Sequence, residues 1–240
     1  MKTTVKQVET FTRLIGLCAE NGSMYNPAKE SITIDALQAL LAKAHQKHQM
    51  VNDTHHQLRS AINTRDDAAH EMQLRATRAA NAATVLITQP GLLEDIKMTL
   101  SKIRGYRRGA VHGKEQPDEG SPPGEYRKPR GPVAYLTISS KIDHFEQLIR
   151  CLETPEYKPN EEEITVEGMK AFFASLEAKQ AKLLRSWSMH RVAMDQYRSI
   201  IQSGEGIYGV SKTVKAYMKS VYGASSHTFK IVSKLKFRTW

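Results

Sequence analysis

Apolar and small residues fall on alternating steps of three and four along two long stretches of the chain. The first runs Ile34, Leu37, Leu41, Ala44, Val51, Leu58, Ile62, Ala69, Met72, Ala76, Ala79 and Ala83, and the second Val166, Met169, Phe173, Leu176, Leu183, Trp187, Met194, Tyr197 and Ile201. This spacing keeps one face of a helix apolar over many turns, which is the pattern of a long helix packed in a bundle. Shorter amphipathic stretches precede and follow each of them. Val5 to about Cys18 predicts a helix closed at Asn21-Gly22, and the segments ending at Gly105 and Gly223 predict a third helix after each long one. Gln89-Pro90-Gly91 and Gly204-Glu205-Gly206 supply the breaks, because proline lacks an amide donor and glycine tolerates positive φ. The polar run Asn63-Thr64-Arg65-Asp66-Asp67 interrupts the first stripe and marks a point where that helix could break.

The two halves share more than their pattern. Phe11, Leu14 and Ile15 recur as Phe145, Leu148 and Ile149, and Tyr25, Pro27, Glu30, Ile32 and Thr33 recur as Tyr157, Pro159, Glu162, Ile164 and Thr165. Further on, Gly91, Ile96, Lys97, Leu100, Ile103 and Gly105 match Gly209, Val214, Lys215, Met218, Val221 and Gly223. Three blocks in one order point to an internal duplication. The offset falls by fourteen residues between the second and third blocks, two heptads, a deletion that leaves a buried helical face in phase.

The expected fold is therefore all-α: a duplicated helical bundle with three helices per copy, one of them long, and the long helices antiparallel about an approximate two-fold. Residues 1–105 form the first copy and residues 133–240 the second, which ends in a basic tail. The Pro- and Gly-rich stretch 106–132, without an apolar period, reads as a flexible basic linker. A helix of about 50 residues spans roughly 75 Å, close to the two shorter helices laid end to end along it.

Composition changes this picture in one respect, the charge. Thirty-five Lys and Arg against twenty-five Asp and Glu give +10, which favours anionic partners or simply solubility. The two cysteines, Cys18 and Cys151, have no metal-ligand or CxxC spacing and read as reduced core or boundary residues. The first residues lack the apolar run of a secretory signal, and no stretch is long and apolar enough to span a membrane, so a cytoplasmic location without membrane association is expected.

Candidate chemistry is sparse. Basic clusters follow the third helix of each copy: Lys97, Lys102, Arg104, Arg107 and Arg108, then Lys230, Lys234, Lys236 and Arg238. Tyr106, Phe229, Phe237 and Trp240 are interleaved with them, a mixture suited to phosphates and exposed bases, although cations also complement a helix C-terminus. Of the histidines on the first long helix, His48 and His55 stand about 10 Å apart, too far to share an ion. His45 and His48 could bind a metal only if another helix added ligands. Glu161-Glu162-Glu163 suits the N-terminal end of a helix, and Trp187 and Phe172-Phe173 suit a core better than a cofactor pocket. No phosphate-binding Gly-rich loop, GxSxG elbow or paired nucleophile occurs, and Gly204 to Gly209 follows a helix, as a terminator does. No catalytic residue, cofactor or metal is expected.

The C-terminal runs Ser220-Val221-Tyr222-Gly223-Ala224-Ser225-Ser226 and Ile231 to Phe237, on this duplicated layout, resemble a group of helical bacterial proteins of the Bacteroidetes type. The resemblance covers most of the chain and implies an all-helical fold without adding an activity, cofactor or partner. The leading expectation is a non-enzymatic scaffold or protein-interaction module with a protein partner. The alternative is a nucleic-acid or polyanion-associated protein working through the two basic clusters.

Overall fold

The computed structural model describes residues 2–105 and 137–238, and the expected linker 106–132 lies outside them. Among the described residues there is no strand. Seven α-helices follow in order: α1 Lys2–Glu20, α2 Ile34–Leu86, α3 Pro90–Arg104, α4 Ile138–Leu152, α5 Val166–Gln202, α6 Ile207–Tyr222 and α7 His227–Lys234. Helix α2 is unbroken for 53 residues. The run 63–67 does not stop it, because none of its residues is Gly or Pro and its side chains lie outward or are satisfied locally. Thr64 Oγ1, for example, donates to the Ser60 carbonyl at 2.8 Å. Helix α7 is an addition to the expected basic tail. It is started by Ser226, whose hydroxyl accepts from the Phe229 amide at 3.1 Å.

The same local devices hold both chain entries into the long helices. Tyr25 and Tyr157 are buried and donate to the carbonyls of Ile32 and Ile164 at 2.6 and 2.8 Å. Single 3-10 turns, Glu30–Ile32 and Glu162–Ile164, then lead to Thr33 and Thr165, whose hydroxyls accept from the amides of Ala36 and Gly168. Each hydroxyl satisfies one of the free amides of a helix start. At the far ends, α3 and α6 close on Gly105 and Gly223, with φ of 81° and 78°.

The chain divides into two compact units, and each draws on both halves of the sequence. The first holds Met1–Arg59 and Leu184–Trp240, so α1 and the start of α2 share it with the end of α5, α6 and α7. The second, Ser60–Leu183, holds the rest of α2, α3, α4 and the start of α5.

In the first unit the two long-helix segments run antiparallel, with Lys47 Nζ donating to Gln196 Oε1 at 2.9 Å and Thr54 Oγ1 3.2 Å from His190 Nδ1. Its core joins Phe11, Leu14 and Cys18 of α1 to Leu37, Ala44 and Val51 of α2, Tyr197 and Ile201 of α5, and Val210, Val214 and Met218 of α6.

In the second unit α2 presents mainly small residues, Ala68, Ala76, Ala79, Ala80 and Ala83 around Met72. Bulky side chains from α3, α4 and α5 fill the space above them, among them Ile96, Leu100, Phe145, Leu148, Leu152 and Phe172. Small against large is how a dense core interdigitates, and truncating a side chain as enclosed as Leu148 costs about 2–5 kcal/mol.

One expected core residue is misplaced by the sequence pattern. Trp187 is 56% exposed, because the buried face of α5 steps from Leu183 through Ser186 and Ala193 to Tyr197, with Met194 partly buried beside it, and does not pass through Trp187. The step after Leu183 is three residues, not four, and it turns Trp187 outward. Phe172 is buried and Phe173 partly so, as expected.

Gly206, just before α6, and Gly209, in its first turn, serve backbone contact. A Cβ on Gly209 would stand 1.9 Å from the Gly204 carbonyl oxygen, whereas one on Gly91 would meet open space. Gly209→Ala is therefore expected to cost about 1–3 kcal/mol in denaturant unfolding, while Gly91→Ala leaves stability unchanged or raises it by a few tenths. Equal losses for the two would contradict this packing.

Candidate polyanion interface

Folding sorts the charge. Residues 1–59 and 184–240 carry seventeen Lys and Arg against seven Asp and Glu, and residues 60–183 carry eighteen of each. The whole formal excess of +10 thus belongs to the first unit. It is concentrated at one end of the chain, for residues 206–238 contain Lys212, Lys215, Lys219, Lys230, Lys234, Lys236 and Arg238 and no carboxylate at all.

These residues form α6, the turn at Gly223, α7 and the strand-free tail. Helix α6 buries Val210, Val214 and Met218 and so turns Lys212 and Lys219 to solvent. Helix α7 is anchored by Val232 and exposes Lys230 and Lys234, and Lys236 and Arg238 follow it, also exposed. None of these six is ion-paired with a carboxylate among the described residues; Lys212 lies over the Tyr208 ring at 4.6 Å.

Lys215 behaves differently. Its ammonium points into the seam between α6 and α7, donating to the carbonyls of Ser233, at 3.4 Å, and Leu235, and standing 5.5 Å from the centre of the Phe237 ring. Burial lowers its pKa from the ordinary lysine value. Lys215 thereby supplies the charge that the C-terminal carbonyls of α7 lack, and it fixes α7 on α6.

The aromatic residues of this region are not free rings. Tyr217, Tyr222, Phe229 and Phe237 are partly buried against the core of the unit, and the ring of Tyr208 lies under the Lys212 ammonium. Trp240 and Tyr106 lie outside the described residues, as do Arg107 and Arg108.

The cluster after α3 sits in a different setting. Arg104 donates to Thr77 Oγ1 at 3.0 Å, and Lys97 and Lys102 share their helix with Glu94 and Asp95. Its unit is neutral overall. The described cations of the first cluster thus share their helix with carboxylates, whereas those of the second lie in a stretch without any. Lys212 and Lys219 escaped notice because they precede Gly223; the acid-free run from 206 onwards was the available signal.

Other candidates resolve into structure. His48 packs against Tyr197 with ring centres 5.4 Å apart, and His45 and His48 border a groove that Glu9 also lines. Even so, among the described residues no group of three His, Cys, Asp or Glu side chains is placed to hold a metal ion. Glu163 pairs with Arg78 at 2.5 Å, which holds its carboxyl below the ordinary value. Both cysteines are unbridged, and burial pushes the Cys18 thiol up to about 11, despite a hydrogen bond with Tyr25 that acts the other way. Such a thiol is inert near neutral pH. Among the described residues no helix is long and apolar enough to cross a membrane.

No protein-family description, curated protein or solved structure matches this chain.

The role given to Lys215 has a direct check. In Lys215→Ala the amides of α7 should exchange with solvent about tenfold faster or more, while those of α4 are unchanged, since a charge-assisted hydrogen bond contributes about 1.5–3 kcal/mol. Unaltered exchange in α7 would mean that its apolar contacts alone hold it.

Proposed function

We propose that the protein is a non-enzymatic helical interaction module that docks onto a polyanionic partner through the α6–α7 surface. The observation that carries this reading is the acid-free stretch 206–238, with six outward cations on one unit that holds the entire charge excess. Solvated charge that serves only solubility is dispersed and interspersed with the opposite sign, as it is over residues 60–183. A one-sign surface raises the local potential, attracts anions over a Debye length and orients them on arrival. The partner is a polyanion, and a protein partner fits the same surface only if it is strongly acidic.

The proposal includes an origin by duplication, with the two copies related by an approximate two-fold. Its support is the recurrence of matched roles: Phe11 with Phe145 and Leu14 with Leu148, all fully enclosed, Tyr25 with Tyr157, Thr33 with Thr165, and Gly105 with Gly223. A unit that once paired with a second copy of itself keeps the same interface after fusion into one chain.

Binding of the full chain to inorganic polyphosphate tests the reading. Replacing Lys230, Lys234 and Lys236 together by alanine should weaken it at least tenfold, and replacing Lys97, Lys102 and Arg104 together should change it less than threefold, in keeping with the loss of phosphate contacts in one case only. Equal losses, or wild-type affinity after the first replacement, would remove the α6–α7 surface from the account.

A further inference from the structure

We infer that the first unit holds a site for one divalent transition-metal ion of the zinc class, formed by His55 of α2 and His190 of α5; it is independent of the docking surface proposed above.

The two histidines come from opposite halves of the sequence, and folding sets them beside each other. Across the antiparallel seam of α2 and α5 their ring centres stand 5.5 Å apart, with the planes inclined by 56°. An imidazole nitrogen binds zinc at about 2.0–2.1 Å, which puts the ion roughly 3.2 Å from the ring centre. Two imidazoles that share an ion at an angle of about 110–120° therefore have centres about 5.2–5.5 Å apart. The separation of His55 and His190 falls at that value. The pair His45 and His48 gains no such nitrogen from the facing helix, where His48 meets the ring of Tyr197.

The hydrogen bonding of His190 leaves the right nitrogen for a metal. Thr54 Oγ1 has one hydrogen, and it donates this within its own helix, to the carbonyls of Met50 at 2.8 Å and Val51 at 3.1 Å. Towards His190 Nδ1, 3.2 Å away, the hydroxyl therefore acts as the acceptor, and Nδ1 carries the ring proton. In the neutral ring the lone pair then sits on Nε2, which has no hydrogen-bond partner among the described residues. A histidine ligand commonly donates its other N–H to a fixed oxygen, because that bond sets both tautomer and ring orientation. Thr54 is buried, so its oxygen is such a fixed point.

His55 is exposed and makes no hydrogen bond among the described residues, so both of its nitrogens are open to a ligand. Two protein nitrogens leave the other positions of a four-coordinate ion to water, in keeping with the absence of a third His, Cys, Asp or Glu placed to bind among the described residues. Imidazole donors select zinc, copper or nickel against magnesium and calcium, which take oxygen. The consequence is mechanical: an ion held by both rings ties α2 to α5 across the seam that joins the two halves of the chain.

The test is a calorimetric titration of the metal-free, full-length protein, without a histidine tag, using zinc and then magnesium. One zinc per chain should bind, and magnesium should not. His55→Gln and His190→Gln should each weaken zinc binding at least tenfold, whereas His227→Gln, at an exposed position on α7, should leave it within about twofold. Thr54 is a positioning residue, so Thr54→Val should weaken binding about tenfold and Thr54→Ser, which keeps the oxygen, should restore it. Zinc should also raise the thermal midpoint of the parent but not that of His55→Gln, since a ligand of the folded state stabilises that state. Because His55 is exposed, His55→Gln reads the site even where His190→Gln loses its fold.

No zinc binding, or binding that survives His55→Gln and His190→Gln unchanged, would overturn the site. An equal loss in His227→Gln would mean adventitious binding by surface histidines and would overturn it as well. Parent affinity in Thr54→Val would overturn the positioning role of Thr54.

Discussion

Neither half of this chain can cover its own long helix. Burial of the apolar stripe on the first part of α2 is completed by α1 together with α5 and α6, and that of its last part by α3 together with α4 and α5. Each core is therefore a product of residues from both halves of the sequence. The hydrophobic effect acts on area removed from water, at about 25 cal/mol per Å², and that area is removed here only when distant segments meet. Local helix propensity accounts for the lengths of α2 and α5, but a long helix in water gains most of its stability from a packed face. The two tyrosine bonds, Tyr25 to Ile32 and Tyr157 to Ile164, and the threonine caps that follow them set where each long helix begins. They fix the register in which the stripes can be paired.

This exchange of segments also creates the chemistry of the surface. As a linear sequence the chain carries a basic cluster at the end of each copy. Once folded, α6 and α7 join α1 and the early part of α2 in one unit, where few carboxylates accompany them, and the other unit is left neutral. Lys215 makes the arrangement rigid by spending its own charge inside the α6–α7 seam, so that its neighbours on the outer face are presented on a fixed frame. The proposed interface is thus electrostatic in character, carried by outward cations on two helices rather than by a pocket.

Much of the fold is legible in the sequence. The 3-4 spacing locates α2 and α5, and proline and glycine locate the breaks, with Pro90 serving as the first residue of α3. What escapes is whatever depends on phase or on long-range pairing. Trp187 lies four residues from Leu183 and looks like a stripe position, but Ser186 and Ala193 occupy the buried face and the tryptophan is turned out. Helix α7 is short and basic, and its one strong signal is the capping serine at 226. The unequal fate of the two cation clusters could not be read locally, because it depends on which segments share a unit. The absence of acids from 206–238 is visible in the sequence, whereas the lack of an ion pair to any of those six cations among the described residues is a property of the fold.

The most direct measurement is to produce residues 1–105 and 133–240 as separate chains, alone and together, and to follow their helicity and mass in solution. The account predicts that each alone is largely unfolded or self-associates to satisfy its stripe, and that the two together recover the helicity of the intact protein as a one-to-one complex. Two stable, helical monomers without affinity for one another would contradict it, because each core would then have been complete within its own half.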